Sequence, residues 1–463
     1  MPRLNLAGLL ARVGASGREA LSERLGGRWS RGARPSDGVT SGDTGPVAAS
    51  PDDPVVSVID CGAGLIKAIV VEPDRRSAST SGVRVRGIGV IAMPEPRAPG
   101  DDVDRRAFMD AVEAALRAAE DIAGVVPRRT FLAVPGAHVV VTQGEASVAR
   151  TVAHVVVTED EVLDTMARAQ GAALERARTL VAADRGEVPN LETVIAALFA
   201  LTIDGRRVTR AVGLTGARLG ASLAVAATEA STISDLRTLA TFLDLELVGL
   251  LAVPAALGAA MRAGIPDAGA IVIDIGAGAT TVAIIGPSGT EVAMAFPIGV
   301  GMLADHLASV TDLTPREARQ AAWPALAPDG PPPRADVRRP LRDASKALAT
   351  AWLDALEVRL VDVRRGRSLP RAIWICGGGA LLADIRAALD GRAWSTSLFD
   401  GAPTVSTLSV ADLPSLVMDT SAPGVIPDAI LVPTLALGVA AVQGMAASAN
   451  DGQNGLVRRL HLA

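Results

Sequence analysis

The run Asp60-Cys61-Gly62-Ala63-Gly64 returns in the second half of the chain as Asp274-Ile275-Gly276-Ala277-Gly278, each time between two apolar, β-branched runs. Val55 to Ile59 and Ala270 to Ile273 lead in, and Ile69 to Val71 and Val282 to Ile285 lead out, so both copies read as strand, tight glycine turn, strand. One such turn is ordinary hairpin chemistry, since Asp and Gly are the standard turn residues. Two in matching contexts predict a duplicated fold whose halves face one another. Glycine turns let backbone N–H groups approach an anion, and an aspartate at the start of each holds a divalent cation through water. In a Walker loop or a dinucleotide fingerprint the glycines open straight into a helix, which is not the pattern here.

The chain has 463 residues, too many for one core, and predicts two to four domains. A net charge of −5 and 2% aromatic residues argue against a nucleic-acid-binding body. Cys61 and Cys376 each lie inside a glycine motif with no His or Cys at metal spacing, which predicts buried thiols in a reducing compartment. Arginine supplies nearly all the basic charge, and only Lys67 and Lys346 are lysines. Lys67 lies seven positions after Asp60 on the outgoing strand, where alternation can turn it back toward the turn. Lys346 reads as a solvated lysine on a helix.

Residues 1–54 read as a flexible N-terminal segment. Leu4, Leu6, Leu9, Leu10 and Val13 interleave there with arginines as in a short amphipathic helix, and a Ser-, Gly- and Pro-dense linker covers 30–54. An α/β pattern occupies 55–137, with a helix over 104–123 and a strand at 130–134. It is interrupted by an α+β block at 138–227, whose helix starts at the capping box Thr158-Glu159-Asp160-Glu161, and resumes over 228–268. Residues 269–445 repeat the plan: Pro297-Ile298-Gly299-Val300-Gly301 enters a helix at 302–309, and a Pro-rich stretch at 324–340 precedes a long helix over 341–365. The strand at 372–375 then leads into Gly377-Gly378-Gly379, a third glycine segment suited to close approach by a flat base or ribose. Residues 446–463 read as a flexible tail. No apolar run is long enough to span a bilayer and no secretory signal is evident, so the expectation is a cytoplasmic protein.

Together the three glycine segments resemble those of the actin-like ATPase superfamily. Within it, Ala211 to Leu219, Thr130 to His138, and Pro297-Ile298-Gly299 with Asp305 are most similar to bacterial cell-division FtsA proteins; PilM-type pilus adaptors are the alternative. The resemblance implies an α/β, duplicated actin-like (ribonuclease H-like) two-domain ATPase fold with an inserted α+β domain of the 1C/SHS2 type. It implies ATP and Mg²⁺ as cofactors. Asp60 and Asp274 would orient the metal and water, Gly62, Gly64 and Lys67 would hold phosphates from one side, and Gly276, Gly278 and Thr280 from the other. Gly299 and Gly301 would flank phosphate or ribose, and Gly377, Gly378 and Gly379 would frame the adenosine.

Implied partners are the tubulin-like division protein FtsZ, further copies in filaments, later division proteins through the insertion, and the inner face of the cell membrane; nucleic acid is not among them. Ala63 and Ala277 replace residues that carry hydroxyls or backbone freedom in the family. Glu317 to Ala322 departs from its adenosine-gripping helix, and Val253 to Leu257 brings no Gln or Glu to place a water, so slow or absent hydrolysis is expected. A small-molecule kinase is the less favoured enzyme reading, because no carboxylate stands where a general base is needed.

Overall fold

A computed structural model describes residues 46–50, 53–74, 82–94, 104–186, 188–326, 333–364, 366–394, 396–419 and 426–449. In chain order the first lobe is laid down as β1 (Val47–Ala48), β2 (Val56–Cys61), β3 (Leu65–Pro73), β4 (Val83–Ala92), α1 (Arg105–Ala123), β5 (Val125–Val126) and β6 (Arg129–Val134). Then come β7 (Val140–Ala149), α2 (Glu159–Arg185), β8 (Leu191–Ile203), β9 (Arg206–Val208) and β10 (Arg218–Glu229), before the lobe resumes with α3 (Ala230–Phe242), β11 (Glu246–Ala252) and α4 (Val253–Ala260). The second lobe follows as β12 (Ala270–Ile275), β13 (Thr280–Gly286), β14 (Gly289–Phe296), α5 (Met302–Val310), α6 (Pro315–Leu326), α7 (Ala335–Val363), β15 (Ala372–Cys376), α8 (Ala383–Gly391) and β16 (Thr404–Thr407). The chain then returns through β17 (Leu416–Met418) to the edge of β4 and ends its described part with α9 (Asp428–Ala449).

The duplication is explicit in the sheets. In the first lobe β2, β3 and β4 form an antiparallel meander, with β6 and β11 added parallel on the other side of β2. In the second, β12, β13 and β14 form the same meander and β15 and β16 add in parallel beside β12. Each glycine turn is therefore the hairpin between the first two strands of its lobe's meander, β2–β3 and β12–β13. Their central strands are buried on both faces and read as continuous apolar runs, as expected of strands covered by helices. Helix α1 shows the period expected of it, burying Phe108, Val112, Leu116 and Ala119 on one side.

The block at 140–229 leaves the first lobe in sequence but joins the second in space. Its strands run β7-β10-β8-β9, and a single pairing of Val141 with Ala293 on β14 continues the second lobe's sheet to nine strands. The capping box at α2 forms as its sequence indicates: the Thr158 side chain accepts from Glu161 N–H and the Glu161 carboxylate accepts from Thr158 N–H. Glu161 also receives the Arg150 guanidinium at 2.8 Å. That bond, followed by the Thr158 N–H bond, holds its carboxyl down to about 2.

Several boundaries differ from the sequence reading. Val47 and Ala48 are not linker but pair with Val125 and Val126. Helix α7 begins at Ala335, well inside the Pro-rich stretch, and carries Pro340 within it. Burial of Leu341, Ala344, Leu348 and Trp352 on one face outweighs the roughly 3 kcal/mol that an interior proline costs. Helix α9 likewise runs past residue 446 and contains Pro433. Among the described residues one stretch, Asp428–Met445 of α9, is long and apolar enough by composition to cross a membrane, with mean hydropathy 1.5. Scanning for unbroken apolar runs missed it because Pro433 and Gly438 punctuate the stretch. Of that window 72% is buried in the fold, packed on β2, β3 and α4, as a core helix would be. The proposed N-terminal amphipathic helix and the tail from 450 lie outside the described residues.

Candidate functional site

The site is assembled where the two hairpin turns meet. In each turn the first glycine donates its N–H to the carbonyl three residues on, Gly62 to Leu65 and Gly276 to Ala279, both at 3.0 Å. The tips abut: a Cβ built on Gly64 would lie 2.8 Å from the Ala277 methyl, and one on Gly278 would lie 3.0 Å from the Ala63 methyl. Glycine at 64 and 278 is thus required by the approach of the opposite turn. Neither turn offers a side-chain hydroxyl at its tip.

Lys67 does turn back, as its position on the strand anticipates. Its ammonium lies 2.8 Å from Asp60 Oδ2, and both side chains are about nine-tenths buried. The same oxygen accepts the Thr434 hydroxyl of α9 at 2.7 Å. Burial by itself pulls the Lys67 pKa down, but the charge and hydrogen bond of Asp60, with Asp274 behind them, more than compensate and raise it above its usual value. Lys67 therefore stays a cation.

Asp274, half-buried at the end of the opposing β12, is pushed up to about 6, mainly by burial; Lys67 works against this and Asp60 with it. An acid whose pKa is higher folded than unfolded contributes most stability below its unfolded value near 4 and loses it as pH rises through 6. Asp274→Asn is expected to flatten the fall in stability between about pH 4 and pH 6, read as the melting temperature across a pH series. A slope unchanged by the substitution would show that another group titrates there. Burial likewise raises the thiols of Cys61 and Cys376, each with help from its neighbouring aspartate, so both stay protonated and unreactive.

The remaining sequence-predicted residues divide into those that face this meeting point and those that support it. The Thr280 hydroxyl is fully buried, donating to Ile298 O at 2.7 Å and accepting from Trp352 Nε1 at 2.9 Å, so it is committed inside the second lobe. Gly299 and Gly301 pack beneath the second turn: Gly301 N–H donates to Ala277 O, Val300 N–H donates to Gly276 O, and a Cβ at Gly299 would overlap the Ala277 carbonyl. Gly377, with φ of +79°, brings the third segment against Asp274, and Gly379 packs on Ile275. Gly378 has more room, its nearest neighbour being a Val300 methyl. Lys346 is exposed, as expected.

Sequence reasoning missed α9. A proline cannot donate to the carbonyl four residues back, so Pro433 leaves the Ala429 carbonyl free of its helical partner. Gly377 N–H takes that carbonyl at 2.8 Å, while Thr434, the next residue, reaches Asp60. The Pro-Thr pair in an apolar helix is the one signal that was readable.

No protein-family model matches the chain, and no curated protein matches it. Among solved structures, the PilM-PilN type IV pilus biogenesis complex is similar at 14% identity and a TM-score of 0.54, over 84% of this chain and 98% of that one. The ethanolamine utilization protein EutJ from Carboxydothermus hydrogenoformans matches at 14% identity and a TM-score of 0.41, over 83% of this chain and 89% of its own. At that TM-score the overlap carries no argument. The first likeness establishes the fold, which is the actin-like ATPase fold. Proteins of that fold generally bind a nucleotide with a divalent metal.

The donor set suits such a ligand in charge and kind, with one buried lysine and two carboxylates from opposite lobes. Among the described residues no group of three or more His, Cys, Asp and Glu gathers to hold a metal unaided. A cation here would depend on water and phosphate oxygens, as Mg²⁺ usually does.

Proposed function

We propose that the chain is a nucleotide-binding scaffold that joins other proteins and turns ATP over slowly or not at all. The reading rests above all on one observation: Asp60, Lys67 and Asp274 converge between two glycine turns that carry Ala63 and Ala277 at their tips. Lys67 with the backbone at Gly64 and Gly278 would hold the phosphates, while Gly62 and Gly276, whose N–H groups close their own turns, would shape the loops around them. Asp60 and Asp274 would hold Mg²⁺ through water, and the segment at Gly377, Gly378 and Gly379 would lie beside the adenosine. Mg²⁺ held there would neutralise part of the phosphates' negative charge. No group on α4, which opens Val253-Pro254-Ala255-Ala256-Leu257, would position an attacking water.

Two partner sets fit a scaffold of this kind. The FtsA-like version links an FtsZ ring to the cytoplasmic face of the membrane, self-associates, and offers the 140–229 block to later division proteins. The segments at 130–138, 211–219 and 297–305 favour it. The PilM-like version places the chain in pilus or secretion machinery, and the likeness to the pilus complex over 84% of the chain favours that. Co-sedimentation of the purified chain with the tubulin-like division protein of its own organism, with and without ATP and Mg²⁺, separates them. Nucleotide-dependent pelleting together supports the division role. Its absence, with capture of a pilus-assembly protein's N-terminal tail instead, supports the other.

A further inference from the structure

Thr434 differs from five other helical threonines among the described residues. Thr165, Thr179, Thr238, Thr241 and Thr350 each donate their hydroxyl to the carbonyl four residues back in their own helix, the local bond that threonine prefers. Thr434 is completely buried, and its hydroxyl leaves the helix to donate to Asp60 Oδ2 at 2.7 Å, 374 positions away in sequence. That oxygen also receives Lys67 at 2.8 Å. Two donors therefore fix one carboxylate in a buried setting, and only one of them is long and flexible.

We propose that Thr434 is a positioning residue of the phosphate and cation site, holding the Asp60 carboxylate when Lys67 turns to a phosphate. The assignment rests on the nucleotide reading above. Lys67 has four methylenes and can exchange a carboxylate for a phosphate oxygen. With Lys67 gone, a lone Asp60 would be free to rotate away from a cation. The Thr434 hydroxyl keeps it in register, and α9 is held in turn by the bond from Gly377 N–H to Ala429 O and by Gly438 packed on Ile69 and Val71. The helix thus ties the first aspartate to the third glycine segment. Since both bonds to Asp60 fall on the same oxygen, Thr434 should affect the cation more than the nucleotide.

The test is a titration of a fluorescent ATP analogue, with and without Mg²⁺, into the full chain and into Thr434→Val and Thr434→Ser. The wild type and Thr434→Ser are expected to bind more tightly when Mg²⁺ is present. Thr434→Val, which removes one hydrogen bond to a charged group, should lose about tenfold of that Mg²⁺-dependent gain while its metal-free affinity stays the same. An unchanged gain in Thr434→Val overturns the proposal, as does an equal loss with and without metal, which would mark a packing role alone. If the wild type binds the analogue in neither condition, the nucleotide reading itself fails and takes this assignment with it.

Discussion

Lys67→Met is expected to cost about 3–5 kcal/mol of first-lobe stability, the range for breaking a buried ion pair from one side. The ammonium sits 2.8 Å from Asp60 with both groups about nine-tenths buried, so solvent does little to screen what is lost. Removing it leaves Asp60 with the Thr434 hydroxyl and places two carboxylates, Asp60 and Asp274, in one region with no cation between them. Asp274, which Lys67 now holds down, should titrate still higher. Nucleotide affinity should fall about tenfold to a hundredfold, the worth of a charge-assisted hydrogen bond.

Adding Asp60→Asn in the Lys67→Met background removes the unpaired charge. Stability should largely return while affinity does not. Urea denaturation and a nucleotide titration read the two effects separately. A Lys67→Met protein within about 1 kcal/mol of wild type would mean the pair behaves like an exposed one.

Gly377→Ala should be nearly as damaging, for a steric reason. At φ of +79° an L side chain costs about 1–2 kcal/mol. Its Cβ would in addition lie 2.5 Å from Asp274 Oδ1 and 2.6 Å from the Ile275 carbonyl, a strand atom with nowhere to go. Overpacking of that kind adds about 1–3 kcal/mol. Gly124→Ala is the matched control, since Gly124 has φ of +67° at the end of α1 and open space around it. The difference between the two melting shifts measures the overlap at the site. Equal shifts would show that the third segment is not pressed against Asp274.

The hairpin turns were legible because their chemistry is local: an Asp, two glycines and flanking β-branched residues specify a turn wherever they fall. Lys67 was legible for a related reason, as strand alternation and rarity together single it out. Thr280 was only half legible. Its place after the second turn is evident, but its burial against Ile298 and Trp352 depends on how α7 packs across the second lobe's sheet, a contact between segments far apart in sequence.

The two helical prolines misled in opposite ways. Pro340 masked the first turns of a helix that packing sustains, and Pro433 broke up an apolar stretch that is in fact one continuous helix. The partner of Thr434 could not be read, because nothing near residue 434 announces a contact with residue 60. The joining of the 140–229 block to the second lobe through Val141 and Ala293 is likewise a contact between strands far apart in sequence.

The most direct measurement is a titration of ATP into the purified chain with Mg²⁺, followed by phosphate release from the same sample. Saturable one-to-one binding that Lys67→Met weakens, with no steady phosphate release, is the expected result. Absence of binding at millimolar ATP, or sustained turnover by the wild type, would contradict a scaffold that holds its nucleotide without splitting it.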